Sequence, residues 1–284
     1  MGLRIQNNVE AFNAHRQLTG TAAKAAKAME KLSSGYRVNR AADDAAGLAI
    51  SEKMRAQIGG LAQGQRNAQD AVSLVQTGEG ALNEVHSMLQ RVRDLRVQYD
   101  GGTLSSGDKQ AISAEVQQLG KEISDITTKT EFNGLKLLDA GSFTFTVGAA
   151  SADTITFTKT EMSAAIGTAG TGGLKEIIDV GSAASVSAAD TAFAALKVED
   201  IDNAIKNVSN ARSTFGAIQN RLEHRLTNLA TYQENLVASE SRIRDVDMAS
   251  EMVNFSKLQI LQQAGTSMLA QANQSPQSVL ALLR

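Results

Sequence analysis

The sequence predicts a mainly α protein, with long antiparallel helices, a terminal coiled coil and a small β-hairpin in the middle segment. Three observations carry this. The 284 residues hold a single proline, Pro276. Proline removes a backbone donor and breaks helix interiors, so a chain this poor in it can carry very long helices. Apolar residues recur at steps of three and four toward both ends, the spacing of one helical face. Only between about 141 and 195 does the pattern give way, first to alternation with threonine and then to small residues.

The elements follow in order. Ile5, Val9 and Phe12 recur at four and three, and Ala22, Ala25, Met29 and Leu32 at three, four and three. SSGYRVNRAADD (33–44) interrupts them, and Gly35 suits a helix C-terminus. Asp43 or Asp44 can cap the next helix, expected over about 44–99, with Val72, Val75, Leu82, Val85, Leu89, Val92, Leu95 and Tyr99 along one stripe. Gly59-Gly60, with Gly64, Gly78 and Gly80 after it, marks either a break or a close approach of two helix backbones. DGGTLSSGD (100–108) reads as a turn. Ile112, Val116, Leu119, Ile123 and Ile126 then form a regular helical stripe. Phe143, Phe145 and Val147 alternate with threonine, as do Ile155 and Phe157 after a GAASAD loop, which is a hairpin signature. Residues 161–190 are too thin in large apolar groups for a second core, and Ser187 with Asp190 is the expected cap of a short helix. The middle thus reads as decoration on a helical rod. From Ile201 through Ile205, Val208, Ala211, Phe215, Ile218, Leu222, Leu226 and Leu229, and on to Leu236, Ile243 and Val246, the seam is that of a coiled coil. Met248–Met268 is again amphipathic, with Met252, Phe255, Leu258 and Leu261.

Composition excludes several function classes. Lys+Arg 28 against Asp+Glu 30 gives a charge of −2, so no global charge draws the chain to nucleic acid or membrane. Eight Phe, three Tyr and no Trp leave little for a deep ligand pocket or a base-stacking surface. The absence of Cys excludes disulfides, thiolate metal sites and Cys nucleophiles. No apolar run reaches the 18 or so residues of a membrane helix, and MGLRIQNNVEAFNAH lacks the apolar core of a cleavable signal peptide. If the protein leaves the cell, it does so by another route.

Candidate chemistry is sparse. His15, His86 and His224 stand apart and no HExxH spacing occurs, so each reads as a solvated helix residue. Asp43 and Asp44 precede a helix and read as caps rather than an acid–base pair. GEG at 78–80 lacks the strand and the third glycine that phosphate cradling needs. Arg91, Arg93 and Arg96, with Asp94 among them, form either a solvated face or a protein-contact patch. NVS, NFS and NQS match the glycosylation sequon but fall in expected helices. No catalytic constellation, metal site or cofactor is expected. The terminal segments, 1–34 and 245–284, have modest hydrophobicity and are expected to fold on association, as in a self-assembling subunit.

The residues then point to a family. MGLRIQNNVEAFNAHRQL, KAMEKLSSGYRVNRAADDAAGLAISEKMRAQI, NAQDAVSLVQTGEGALNEVHSMLQRVRDL and EFNGLKLL resemble the N-terminal part of bacterial flagellin. RSTFGAIQNRLEHRLTNL and SESRIRDVDMASEMVNFSKLQILQQAGTSMLAQANQSPQSVLALLR are similar to its C-terminal part. Together they cover about 1–140 and 200–284. The resemblance implies a terminal coiled-coil domain (D0) from 1–43 and 241–284, and a helical rod domain (D1) over 44–240 with the hairpin and irregular segment at about 141–195. Large outer domains are not expected. It further implies a chain exported by the flagellar type III apparatus that polymerises with itself into the extracellular swimming filament, with an export chaperone, cap proteins and hook-junction proteins as partners. Ile5, Val9, Phe12, Met252, Phe255, Leu258, Leu261, Leu280 and Leu283 are the expected assembly residues. QRVRDLRVQ (90–98) and SAEV (113–116) resemble the segments of flagellins that Toll-like receptor 5 detects, which implies host-receptor contacts at Gln90, Arg91, Leu95, Gln98 and Glu115, with Arg96 where a small residue is usual. The alternative is a hook–filament junction protein with similar terminal helices. An alternative of a different class is a secreted adhesin or a flagellin carrying an enzymatic insert; the short middle and the missing HExxH argue against the insert.

Overall fold

In the computed structural model, which describes residues 8–139, 141–158 and 173–282, helices α1 (Val9–Ser34), α2 (Ala45–Tyr99) and α3 (Ser106–Lys129) come first. Two antiparallel strand pairs follow, β1 (Glu131–Phe132) with β2 (Leu135–Lys136) and β3 (Ser142–Thr146) with β4 (Thr154–Thr158). Helices α4 (Gly173–Gly181), α5 (Val186–Ala195), α6 (Val198–Arg244) and α7 (Met248–Leu282) complete the described chain. Contacts group it into a central unit, Ile58–Gln233, and a terminal unit made of the residues up to Gln57 and those from Glu234 onward.

Helix ends follow local chemistry. The Asn8 side chain accepts from the Ala11 amide at 3.0 Å and opens α1. Gly35, with φ 75°, closes it and returns its N–H to the Lys31 carbonyl at 2.8 Å. Of the two candidate caps of α2, Asp44 holds the role: its Oδ1 accepts from the Gly47 amide at 2.8 Å. Asp43 instead binds the Arg40 amide and the Lys27 ammonium, each at 3.1 Å. Ser105 and Asp108 form a reciprocal capping box at the start of α3.

Helix α2 runs 55 residues without interruption, so the glycines do not break it. Gly60, Gly64 and Gly78 mark close approach instead, while Gly59 and Gly80 have open space around them. A Cβ on Gly64 would lie 2.9 Å from the Gly148 nitrogen, and one on Gly78 would lie 2.6 Å from a ring carbon of Phe215.

The core of the central unit lies among α2, α3 and α6. Leu82, Val85, Leu89 and Val92 of α2 are fully buried, as are Val116 and Ile123 of α3 and Ile201, Val208 and Leu222 of α6. The hairpin pairs Phe143 with Phe157 and Phe145 with Ile155. It is not decoration. Phe157 is buried and its ring lies 5.0 Å from that of Phe215. Leu174, Ile177 and Val180 of α4 and Phe193 of α5 are buried in the same core. Among the described residues, the large side chains of the middle join this core rather than forming a second one. Residues 159–172, part of the small-residue run, lie outside the described residues.

The cap of α5 is Ser185, not Ser187: its hydroxyl accepts from the Ala188 amide at 3.3 Å. Asp190 is used differently. One of its oxygens accepts from the Tyr99 hydroxyl at 3.0 Å and the Ser113 hydroxyl at 2.7 Å, tying α5 to α2 and α3.

Candidate functional site

In the terminal unit, α1 and α7 pack along each other, and their burial is thin. Among the described residues its buried apolar side chains are Ala25, Ala28 and Val38. Small side chains let the helices approach closely, as where the place of a Cβ on Gly265 lies 3.2 Å from Leu18 Cδ1. Asn8 Nδ2 donates to the Ala272 carbonyl at 2.7 Å and pins the ends of the pair. Most of the larger apolar groups face outward.

Val9 is 55% and Phe12 72% exposed on α1; Met252 and Leu261 are exposed on α7, where Phe255 and Leu258 are half-buried. Ile5 and Leu283 lie outside the described residues, and of Leu280 only its place in the α7 backbone is described. Spacing alone did not single out Val253 and Ile260, 71% and 66% exposed, although the step of seven between them is a signal that finds them. With Met252, Ser256, Lys257 and Leu261 they line an open groove of about 480 Å³. Such an array can bury apolar area against another helical surface, at about 25 cal/mol per Å².

The second candidate surface lies on α2 and α3. Gln90, Arg91, Gln98 and Glu115 are exposed. Arg91 and Glu115 already hold each other: Nε and Nη2 both lie 2.8 Å from Glu115 Oε1. Gln90 Nε2 lies 3.0 Å from His86 Nε2. Leu95 is a correction. It is 2% exposed, among the core side chains, because it falls on the stripe of Leu82, Val85, Leu89 and Val92. Its side chain is not open to a partner, whereas those of Gln90, Arg91 and Gln98 are.

The arginine run is neither one face nor one patch. Arg93 Nε binds Asp202 Oδ1 of α6 at 2.6 Å, and that bond raises its pKa above the ordinary arginine value. Arg96 is 8% exposed, its guanidinium 5.2 Å from the Tyr99 ring centroid and 5.3 Å from that of Phe193. It reaches Asp100 at 3.2 Å and the Ala194 carbonyl at 3.4 Å. Beside it, burial and the bond to Asp190 push the Tyr99 phenol above its usual pKa, so it stays a neutral donor.

His15 and His224 are exposed and His86 is half-buried. No group of three or more His, Asp or Glu among the described residues is placed to hold a metal ion. No helix among them is long and apolar enough to cross a membrane.

The bacterial flagellin N-terminal helical region matches residues 5–144, and the bacterial flagellin C-terminal helical region matches residues 198–283. The chain is 51% identical to a flagellin of Halalkalibacterium halodurans over 284 residues, covering 99% of each. It is 48% identical to a flagellin of Bacillus subtilis over 309 residues, covering 99% of this chain and 100% of that one. In structure it resembles a putative flagellar hook-associated protein of Vibrio parahaemolyticus, with a TM-score of 0.55 and 17% identity over 72% of this chain and 100% of that chain. That last likeness is one of fold alone.

Proposed function

The chain belongs to the bacterial flagellin family and is a structural subunit of the flagellar filament, in a short form without large outer domains; on that premise we propose that it is exported through the flagellar type III apparatus and polymerises outside the cell into a hollow helical filament. The observation that carries this reading is the outward apolar array of α1 and α7, with Phe12 at 72% and Val253 at 71% exposure. Each copy offers surface that another copy can cover, and a head-to-tail contact that does not close gives a filament rather than a ring. Val9, Phe12, Met252 and Leu261 supply buried area on assembly, with Phe255 and Leu258 beneath them. Ile5, Leu280 and Leu283 are the remaining assembly residues that the family resemblance names. An export chaperone, cap proteins and hook-junction proteins are the expected partners, and the domain division at 43/44 and 240/241 is kept as the functional one, with D0 as the assembling part.

Electron microscopy of the full chain, concentrated with precipitating salt or seeded with short filaments, tests this. Long tubes of uniform diameter are expected. Persistent monomers despite good seeds would move the assignment to a hook–filament junction or cap-associated protein.

The second part of the reading is recognition by Toll-like receptor 5 through Gln90, Arg91, Gln98 and Glu115. Its support is the exposure of these four on neighbouring helices and the preformed Arg91–Glu115 pair. Leu95 acts from beneath by holding α2 in place. In a receptor-reporter assay Arg91→Ala and Glu115→Ala are expected to weaken signalling; wild-type signalling from both would end the assignment.

A further inference from the structure

The chain crosses itself in the terminal unit, between α1 and α2 and again between α6 and α7. The Arg37 amide donates to the Arg244 carbonyl at 2.6 Å, and the Val246 amide donates to the Gly35 carbonyl at 3.0 Å. Arg37 Nη2 adds a bond to the Ile243 carbonyl at 2.6 Å. Tyr36 and Asp245 face each other here as an isolated antiparallel bridge.

Tyr36 gathers the cations around this crossing. The Arg244 guanidinium lies 4.9 Å from its ring centroid and the Arg55 guanidinium 5.5 Å from it. Arg55 Nη2 donates to the Tyr36 hydroxyl oxygen at 3.2 Å. Both arginines are held by carboxylates of the facing helix. Arg55 Nε binds Glu240 Oε1 at 2.9 Å, and Arg244 Nη1 binds Glu52 Oε1 at 2.6 Å. Glu52 and Arg55 sit on one turn of α2, and Glu240 and Arg244 on one turn of α6, so the charges swap across the antiparallel pair. The bond to Tyr36, ahead of the pair with Glu240, raises the pKa of Arg55. Arg244 keeps only 12% of its side chain exposed, and its Nε is buried without a hydrogen-bond partner. A guanidinium accepts that placement when an aromatic ring packs on it, since the ring quadrupole attracts the cation.

One half-buried ring therefore ties both crossings to α2 and α6. From Gly35 the chain leads back into α1, where Glu30 binds Arg40 at 2.8 Å and Asn39 at 3.1 Å. Beyond Val246, Asp247 starts α7 by accepting from the Ala249 amide at 3.0 Å. We propose that Tyr36, gripped by Arg55 and Arg244, is a latch that fixes the direction in which α1 and α7 leave the ends of α2 and α6. With the latch open, that direction changes while every helix stays intact. In a filament this is a place where a subunit can bend without losing its buried core, and in that respect the proposal rests on the filament reading.

The test uses full-length wild-type, Tyr36→Leu and Tyr36→Phe chains assembled into filaments. Backbone hydrogen exchange is read at Arg37 and Val246, with Ile123 in α3 as the internal control. Tyr36→Leu keeps apolar bulk but removes the π face and the hydroxyl. Exchange at Arg37 and Val246 should rise about tenfold or more, with Ile123 unchanged and the filament curvature altered in electron micrographs. Tyr36→Phe keeps the ring and should stay much closer to wild type. Wild-type protection and curvature in Tyr36→Leu would overturn the latch. If Tyr36→Leu does not assemble, Arg244→Gln carries the same readouts with the ring in place. A wild-type chain that forms no filaments counts against the filament reading alone, and the same amides are then compared in monomers.

Discussion

In the central unit, α2 and α6 meet over Leu82, Val85, Leu89, Val208, Phe215 and Leu222, all fully or almost fully withdrawn from solvent. In the terminal unit, where α1 and α7 pack along each other, the buried apolar side chains of α1 are Ala25 and Ala28, while Phe12, Met252, Val253 and Ile260 stay in water. Both units are built from amphipathic helices, and the difference lies in how many elements share the apolar faces. Helices α2, α3 and α6, with the hairpin, α4 and α5, surround one another, so large side chains find contacts on every side. A lone helix pair can cover only one stripe of each member. The apolar side chains that α1 buries are small, and most of the pair's large ones stay exposed. One unit is stabilised by its own packing, and the other leaves apolar area uncovered, as the proposed assembly surface requires.

The largest expected effect separates the units outright. Deleting residues 250–284 should abolish filaments in electron micrographs while circular dichroism still reports a cooperatively folded helical core. Filaments from this truncation would mean that the terminal pair is not the assembly surface.

Matched phenylalanines sharpen the contrast. Phe215→Ala removes a ring that is 1% exposed and packs on Phe157, and should cost the monomer about 3–5 kcal/mol in denaturant unfolding. Phe12→Ala, at a site 72% exposed, should change monomer stability by no more than about 0.5 kcal/mol and raise the critical concentration for assembly. Equal losses of monomer stability in the two variants would erase the distinction.

A smaller effect tests how tightly the middle segment is held to the core. A Cβ on Gly120 would lie 2.6 Å from the Ile177 carbonyl oxygen, against a backbone that has little room to yield. Gly120→Ala should destabilise the central unit by about 1–3 kcal/mol, read by thermal unfolding, with assembly residues untouched.

The smallest effect is a pH dependence at helix entrances, one in each unit. The Ser105 hydroxyl and amide hold the Asp108 carboxyl below the ordinary aspartate value of 3.8. The Arg40 amide and then Lys27 do the same for Asp43. A depressed folded pKa means that each contribution is present above pH 3.8 and fades as pH falls through the lower folded value. Wild type and Asp108→Asn should therefore differ in stability near neutrality and converge in acid. A difference that persists at low pH would assign the effect to something other than the ionised cap.

Much of this was legible in the residues. Steps of three and four located the long helices, Gly35 and the Asp43–Asp44 pair marked their ends, and alternation around Phe143 and Phe157 gave the hairpin. Exposure of Val9, Phe12, Met252 and Leu261 follows from an apolar stripe with too few neighbours. Spacing put Leu95 on the apolar stripe with Leu89 and Val92, but only packing shows that this stripe faces inward there while Gln90, Arg91 and Gln98 face out. The three arginines nearby went to Glu115, to Asp202 and into the core beside Tyr99 and Phe193 for the same reason.

By itself, then, the sequence determined the local and periodic features: which stretches are helical, where they are capped, which stripe of each is apolar, and that the ends belong to the flagellin type. Those follow from interactions within a turn or two of chain. Only the tertiary structure decided that the middle segment completes the central core, that glycines at 64 and 78 admit neighbours rather than break a helix, and that Tyr36 meets Arg55 and Arg244. These contacts join residues far apart in the chain, and their existence depends on space left by other elements, which no local pattern encodes.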